Sequence, residues 1–528
     1  MMSLIRNIVF FITLSFMICL IGISESKKPL PDWPNCVAYN FTPPGSGISL
    51  TKDKKQIKKT WSVPIHTGIG KNSFSAVRDV IEQGFEPTIG DSASPIVYDK
   101  VLLVSWTQSS GEIIANPETL TDRYFFNRPE LSNPKVRNTY LRIDADWITV
   151  ALDAYTGKEL WRQIEKSASL NFQSSKRGHN GISGAAENGI YVTVSILGHV
   201  FAYEISTGKR LWHNTLPEWH PFAQKYKEKC ISERRLPPLR EQIGYKRSGV
   251  MIVGEIAVVP DLYRGIIGFD LKTGKMLWRE KNLLDDATTP RPWKDEEGKT
   301  WLILKNSTSR YGPCEISLIE PKTGEKKWLH KTGINPGELN MGEGHILLNT
   351  ETDGKKVGLW TCYLITINGL VEKWKMPDKP EYRFWIAPDS GPRRRAVIHD
   401  GVVYAVLGDY EDKEKNLRVP GRLYSFSLKD GRKLCVDENS EIRGWMPVII
   451  EDMLYLQTDP SHSGNGAGLL MYQISKNGIF SKVGKVDFIG DLELLIITDY
   501  EHPIEFPYAY GMHFVRALNK IAAIDLRQ

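Results

Sequence analysis

The chain has 528 residues, 68 basic against 62 acidic, for a formal net charge of +6. With 41% hydrophobic and 25% charged residues, it has the composition of a soluble globular protein. So mild a charge over this length gives no reason to expect a nucleic-acid partner.

The first element in chain order is an export signal. Arg6 supplies the charge, residues 8–23 are mainly apolar, and Gly22 and Ser24 are small residues suited to cleavage. This predicts a signal peptide over residues 1–26 and an exported protein, periplasmic or extracellular. The apolar run falls short of the ~20 residues a membrane helix needs, and an uncleaved anchor is the alternative. No later segment is apolar and long enough to span a bilayer. Residues 27–57 follow as an N-terminal extension, and residues 58–528 form the folded body. The five remaining cysteines, Cys36, Cys230, Cys314, Cys362 and Cys435, are scattered and make no CxxC pair. They suit neither a disulfide scaffold nor a structural zinc site.

The body is organised by a repeated phrase. Its first copy is Ala151-Leu152-Asp153-Ala154-Tyr155-Thr156-Gly157-Lys158-Glu159-Leu160-Trp161, and looser copies occupy residues 202–212, 268–278 and 318–328. In each, an acidic residue (Asp153, Glu204, Asp270, Glu320) stands eight places before a tryptophan (Trp161, Trp212, Trp278, Trp328). Between them lies a glycine, Gly157, Gly208, Gly274 or Gly324. Alternation such as Val200-Phe201-Ala202-Tyr203 has a strand's period, and Thr-Gly supplies a tight turn, so each copy reads as a β-hairpin. Recurrence every ~45 to 65 residues is the mark of a propeller or solenoid.

Each hairpin is preceded by two further strands, the first opening with small residues or proline. Such openings begin near residues 93, 181, 248, 289, 339, 392, 445 and 508, which makes eight units of four strands. The later hairpins are degenerate: Trp374 comes one residue late after Gly369, Cys435 stands where tryptophan is expected, and only Phe480 follows Gly478. The final repeat stops after Asp525 and Leu526, before its glycine and tryptophan. The missing strand exists at the other end, as Lys58-Lys59-Thr60-Trp61-Ser62-Val63. The expected fold is therefore all-β, an eight-bladed β-propeller whose last blade is completed by residues 58–64. Closure of this kind leaves no sheet edge open.

The pattern Ala-x-Asp-x-x-x-Gly-Lys-Glu-x-Trp at residues 151–161 resembles the tryptophan-docking motif of the quinoprotein, or PQQ-repeat, propeller superfamily. The resemblance covers nearly all of the chain beyond the signal. It implies one of two activities: quinone-dependent dehydrogenation of alcohols or sugars, or a cofactor-free scaffold role of the BamB type. In the dehydrogenases the resemblance implies PQQ between a tryptophan floor and a ring of two adjacent cysteines, with calcium beside it. This chain has no adjacent cysteine pair and no matching set of calcium ligands. No cofactor or metal is assigned, and PQQ with calcium stays the alternative. Asp389 and Asp499 are the conceivable bases if the chain is an enzyme.

Function is expected on one face. Loops between blades and between second and third strands are long, whereas the turns on the other side are tight; long loops on a rigid frame are the usual carriers of binding. Basic residues and aromatics stand where inner strands begin on the long-loop side. The candidate ligand-binding residues are Arg177, His179, Arg247, Arg291, Trp293, Arg394, Arg443 and Trp445. Together they suit an anionic or carbohydrate ligand, or a protein partner. Each is alternatively a surface charge or a packing residue. The expected function is an exported, monomeric, non-catalytic binding or scaffold protein, with no catalytic residues assigned.

Overall fold

The computed structural model describes residues 48–64, 94–109, 114–116, 140–172, 182–195, 198–216, 249–261, 265–280, 290–307, 313–333, 339–351, 357–385, 396–408, 410–412, 417–439, 442, 444–458, 468–488, 490–494, 507–517 and 520–528. The proposed signal peptide lies outside them. The chain is an eight-bladed β-propeller of antiparallel sheets. Blade 1 begins with Ile96–Tyr98, Val101–Ser109, Tyr140–Asp153 and Glu159–Phe172; blade 2 comprises Ile182–Glu187, Ile190–Val194, His199–Glu204 and Arg210–Thr215. The same up-and-down order continues through blade 7, which ends with Phe480–Asp487. First strands of successive blades are neighbours and surround the axis, as where Ser183 bridges Gly249 in parallel.

Blade 8 is built from both ends of the chain. Tyr508–Ala509, Met512–Ala517 and Lys520–Asp525 supply three strands, and Lys58–Pro64 pairs with the last, Lys58 opposite Asp525 and Trp61 opposite Ala523. The preceding segment continues the seam. Leu50 bridges Arg527, Thr51 N–H donates to Leu526 O at 2.8 Å, and Gln528 N–H donates to Ser49 O at 3.0 Å. Leu50 and Ile57 are buried in the core shared by blades 1, 7 and 8.

The repeated phrase has a local physical cause. Asp153 Oδ1 accepts from Tyr155 N at 3.1 Å, Thr156 N at 2.8 Å and Thr156 Oγ1 at 2.7 Å, which folds the chain into the turn. Gly157 closes it in the left-handed region at φ 70°. Asp270, with Thr273 and Gly274, repeats the construction, and the Thr273 hydrogen bonds hold the Asp270 carboxyl below its usual range. After the turn the register slips by a bulge, and in the first three copies the tryptophan lands opposite a small residue. Trp161 faces Ala151, Trp212 faces Ala202, and Trp278 faces Gly268. At Gly268 the indole lies directly over its cross-strand partner, where a Cβ would sit 2.3 Å from Trp278, whereas Trp328 pairs with Leu318.

Each indole then reaches the next blade. Its Nε1–H donates to a turn carbonyl there: Trp61 to Ala154, Trp161 to Ile205, Trp212 to Leu271, Trp278 to Pro321, Trp328 to Thr366 and Trp374 to Leu428, at 2.6–3.1 Å. Its ring covers the turn glycine, with Trp161 over Gly208, Trp212 over Gly274 and Trp278 over Gly324. The chain of contacts changes character after blade 6. There Cys435 takes the tryptophan position opposite Ser425, and Leu434 covers Gly478 instead.

Candidate functional site

Antiparallel order puts the first-to-second and third-to-fourth turns on one face of the ring. Second-to-third and inter-blade connections lie on the other. The described turn-face connections are tight: Asn188-Gly189, Glu343-Gly344 and Asp400-Gly401 each have positive φ at both residues, as two-residue hairpins require. The opposite face carries the additions. The last two strands of blade 1 run fourteen residues each, against six in blade 2. At about 3.4 Å per residue the excess projects roughly 25 Å beyond an ordinary blade. Ile114–Asn116 pairs with residues 140–142 at the far end of this ribbon. In blade 6 the hairpin Tyr410–Asp412 with Leu417–Val419 rises from the same face. Phe384–Trp385 adds to the third strand of blade 5 and bridges Gly408 of blade 6.

Beneath this face the blades bury polar groups. Asp261, Lys305, Asn306, Asn349, Gln457 and Thr458 stand at or near the far ends of second strands and are at most 7% exposed. Arg279 Nε donates to Asp261 Oδ2 at 2.6 Å, an ion pair with side chains 10% and 1% exposed. At the seam of blades 1 and 2, Ser105 Oγ lies 3.0 Å from Thr149 Oγ1 and 3.1 Å from Tyr191 OH, and Thr193 donates to it at 3.2 Å. Outside that cluster, Arg210 grips both oxygens of Glu165 at 2.9 and 2.8 Å. His213 contacts His199 at 3.1 Å, and burial and then Arg210 hold its imidazole below its ordinary pKa.

The candidate residues from the sequence divide sharply. Arg177, His179, Arg247, Arg394 and Arg443 lie outside the described residues, as do Asp389 and Asp499. Trp445 is in the opening strand Gly444–Ile450 of blade 7, opposite Gln457. Arg291 opens blade 4 and is buried at 5% exposure, and Trp293 packs into the core between blades 4 and 5. Of the eight candidate positions, Arg291, Trp293 and Trp445 fall within the described residues. The free cysteines Cys314, Cys362 and Cys435 belong to three different blades. Burial pushes the Cys314 thiol up to about 11 and that of Cys362 up to about 12, as for packing residues. Among the described residues, these three cysteines make no thiol pair.

Sequence reasoning missed a concavity on the turn face. A cleft of about 570 Å³ lies between the Ser49–Leu50 segment, the C-terminal Gln528 and the turns of blades 6 and 7. His399, Asp400, Glu451 and Asp452 line it, with Lys52 paired to Asp452 at 2.8 Å. Its signal in the sequence was the recurrence of acid-containing turns, Glu343-Gly344, Asp400-Gly401 and Glu451-Asp452, at one position of successive repeats.

Among curated proteins the chain is similar to a 1-butanol dehydrogenase (quinone) of Thauera butanivorans, 25% identical over 219 residues, or 39% of this chain and 31% of the relative. It is also similar to a quinoprotein ethanol dehydrogenase of Pseudomonas putida, 28% identical over 193 residues, or 35% of this chain and 27% of the relative. The matched part thus spans less than a third of either relative's length. Among solved structures, a quinohemoprotein alcohol dehydrogenase of Comamonas testosteroni aligns with a TM-score of 0.48 at 13% identity, over 94% of this chain and 80% of that one. Residues 145–435, more than half of the chain, match the PQQ_2 family, described as outer membrane protein assembly factor BamB, and the chain belongs to that family.

Proposed function

We propose that this protein is an exported, non-catalytic propeller that binds a protein partner or another extracytoplasmic ligand on its long-loop face. The observation that carries this reading is the one-sided placement of the ribbon Tyr140–Asp153 with Glu159–Phe172, the hairpin at Tyr410–Asp412 and the added strand Phe384–Trp385. Extended strands borne on a closed ring offer backbone edges to a large partner surface. Membership in a family described as an outer membrane assembly factor supports a partner in the cell envelope.

A quinone-dependent dehydrogenase is the second reading, favoured by the similarity to the butanol and ethanol dehydrogenases. Two measurements separate the readings. Photo-crosslinkers at Leu141 and Phe172, which face each other in the ribbon, are expected to trap a partner in cells, whereas one at Lys158 on the turn face does not. Full-length protein is also titrated with PQQ and Ca²⁺ and assayed for dye reduction with alcohols and aldoses. Saturable quinone binding with turnover overturns the binding reading.

A further inference from the structure

We infer that the turn face carries a divalent metal site, best suited to Zn²⁺, at the seam of blades 5 and 6. Its ligands are Glu343, His399 and Asp400, whose donor atoms all lie within 4.8 Å of one another. Glu343 occupies the first-to-second turn of blade 5, and His399 and Asp400 open the equivalent turn of blade 6. The site is independent of the proposed binding role, because it lies on the opposite side of the ring.

The arrangement is held from two sides. Gly401 N–H donates to Glu343 Oε2 at 2.9 Å, so the backbone of one blade fixes the carboxylate supplied by its neighbour. Outer contacts of this kind orient metal ligands and raise affinity. His399 Nε2 and Asp400 Oδ2 stand 3.7 Å apart. With bonds of about 2.0–2.2 Å, donors around a tetrahedral zinc lie roughly 3.4 Å apart. Closing the set needs only small rotations, since Glu343 and Asp400 are exposed.

Donor chemistry chooses the metal. One imidazole nitrogen with two carboxylates suits zinc and its first-row neighbours, whereas calcium and magnesium favour all-oxygen shells. His399 and Asp400 also border the 570 Å³ cleft, so the coordination positions left open face a space that can hold water or an anionic group. The same cleft is lined by Glu451 and by Asp452, the latter paired with Lys52, and by Lys476.

The test uses full-length protein stripped with a chelator and titrated with Zn²⁺ against a competing dye, with Co²⁺ absorbance as a second readout. One equivalent is expected to bind, with H399A and E343Q each weakening it by at least about tenfold. The control H330A, in the outer strand of blade 4, leaves the titration unchanged. Thermal unfolding without metal should match wild type for every variant, and only wild type and the control should gain stability on adding Zn²⁺. Stoichiometric binding unaltered in H399A, or no stoichiometric binding by wild type, overturns the site.

Discussion

The indole of Trp61 lies over Gly157, where a Cβ would meet Cδ2 and Cε3 of the ring at 2.7 Å. The two residues come from the strand that completes blade 8 and the turn of blade 1, so this contact, with the Trp61 hydrogen bond to Ala154, closes the circle. It is the same relationship that joins Trp161 to Gly208 and Trp212 to Gly274 elsewhere in the ring.

Closure should therefore be sensitive to either partner. Removing a large buried aromatic costs roughly 3–5 kcal/mol, and for the half-buried Trp61 we expect W61A to cost about 2–3 kcal/mol. G157A combines left-handed strain of about 1–2 kcal/mol with displacement of the indole. G189A is the control: its φ of 75° is similar, but nothing lies within 4 Å of its missing Cβ. In denaturant unfolding G157A should lose clearly more stability than G189A, and equal losses would mean the indole contact contributes nothing.

The buried pair Asp261–Arg279 makes a different prediction. Substituting D261A strands a guanidinium that is nearly inaccessible to water, at a cost of roughly 3–5 kcal/mol. The double variant D261L/R279M removes both charges and should recover much of that loss. A chemical denaturation series on the four proteins measures the coupling directly.

Stability should also depend on pH through Glu187. Burial raises its carboxyl from 4.5 to about 7, against the opposing effects of the Gly254 backbone hydrogen bond and Lys294. A folded acid with a raised pKa binds its proton more tightly than the unfolded chain does, so stability falls as pH climbs from about 4.5 to 7. E187Q removes this dependence. It should match wild type below pH 4.5 and exceed it above pH 7, by about 1–2 kcal/mol after allowing for partial exposure. Parallel melting profiles of the two proteins across that range would read it out.

The ring and its blade number were legible because docking imposes residue types at fixed spacing: an acid, a glycine and a tryptophan, as in Asp153, Gly157 and Trp161. Even the swap of ends was visible, in Asp525 without its tryptophan and Trp61 without its acid. The candidate site was far less legible. Arg291 reads as a surface cation, yet it is buried at 5% exposure, and its strand position alone does not say which way it faces. Asp261 and Arg279 meet through pairing of second, third and fourth strands, and their spacing in sequence carries no periodic signal. Glu343 and His399 come from separate repeats and converge only when blades 5 and 6 pack side by side.

The most direct test of the closed ring is zero-length carbodiimide coupling of the full-length protein, followed by digestion and mass spectrometry. Lys59 Nζ lies 3.3 Å from Glu493 Oε2 and Lys52 Nζ lies 2.8 Å from Asp452 Oδ2, pairs 434 and 400 residues apart in sequence. The account predicts both cross-links, together with the internal reference Lys272–Glu255 within blade 3, also at 2.8 Å. Recovery of the Lys272–Glu255 product with neither of the other two would contradict a ring joined by its two ends.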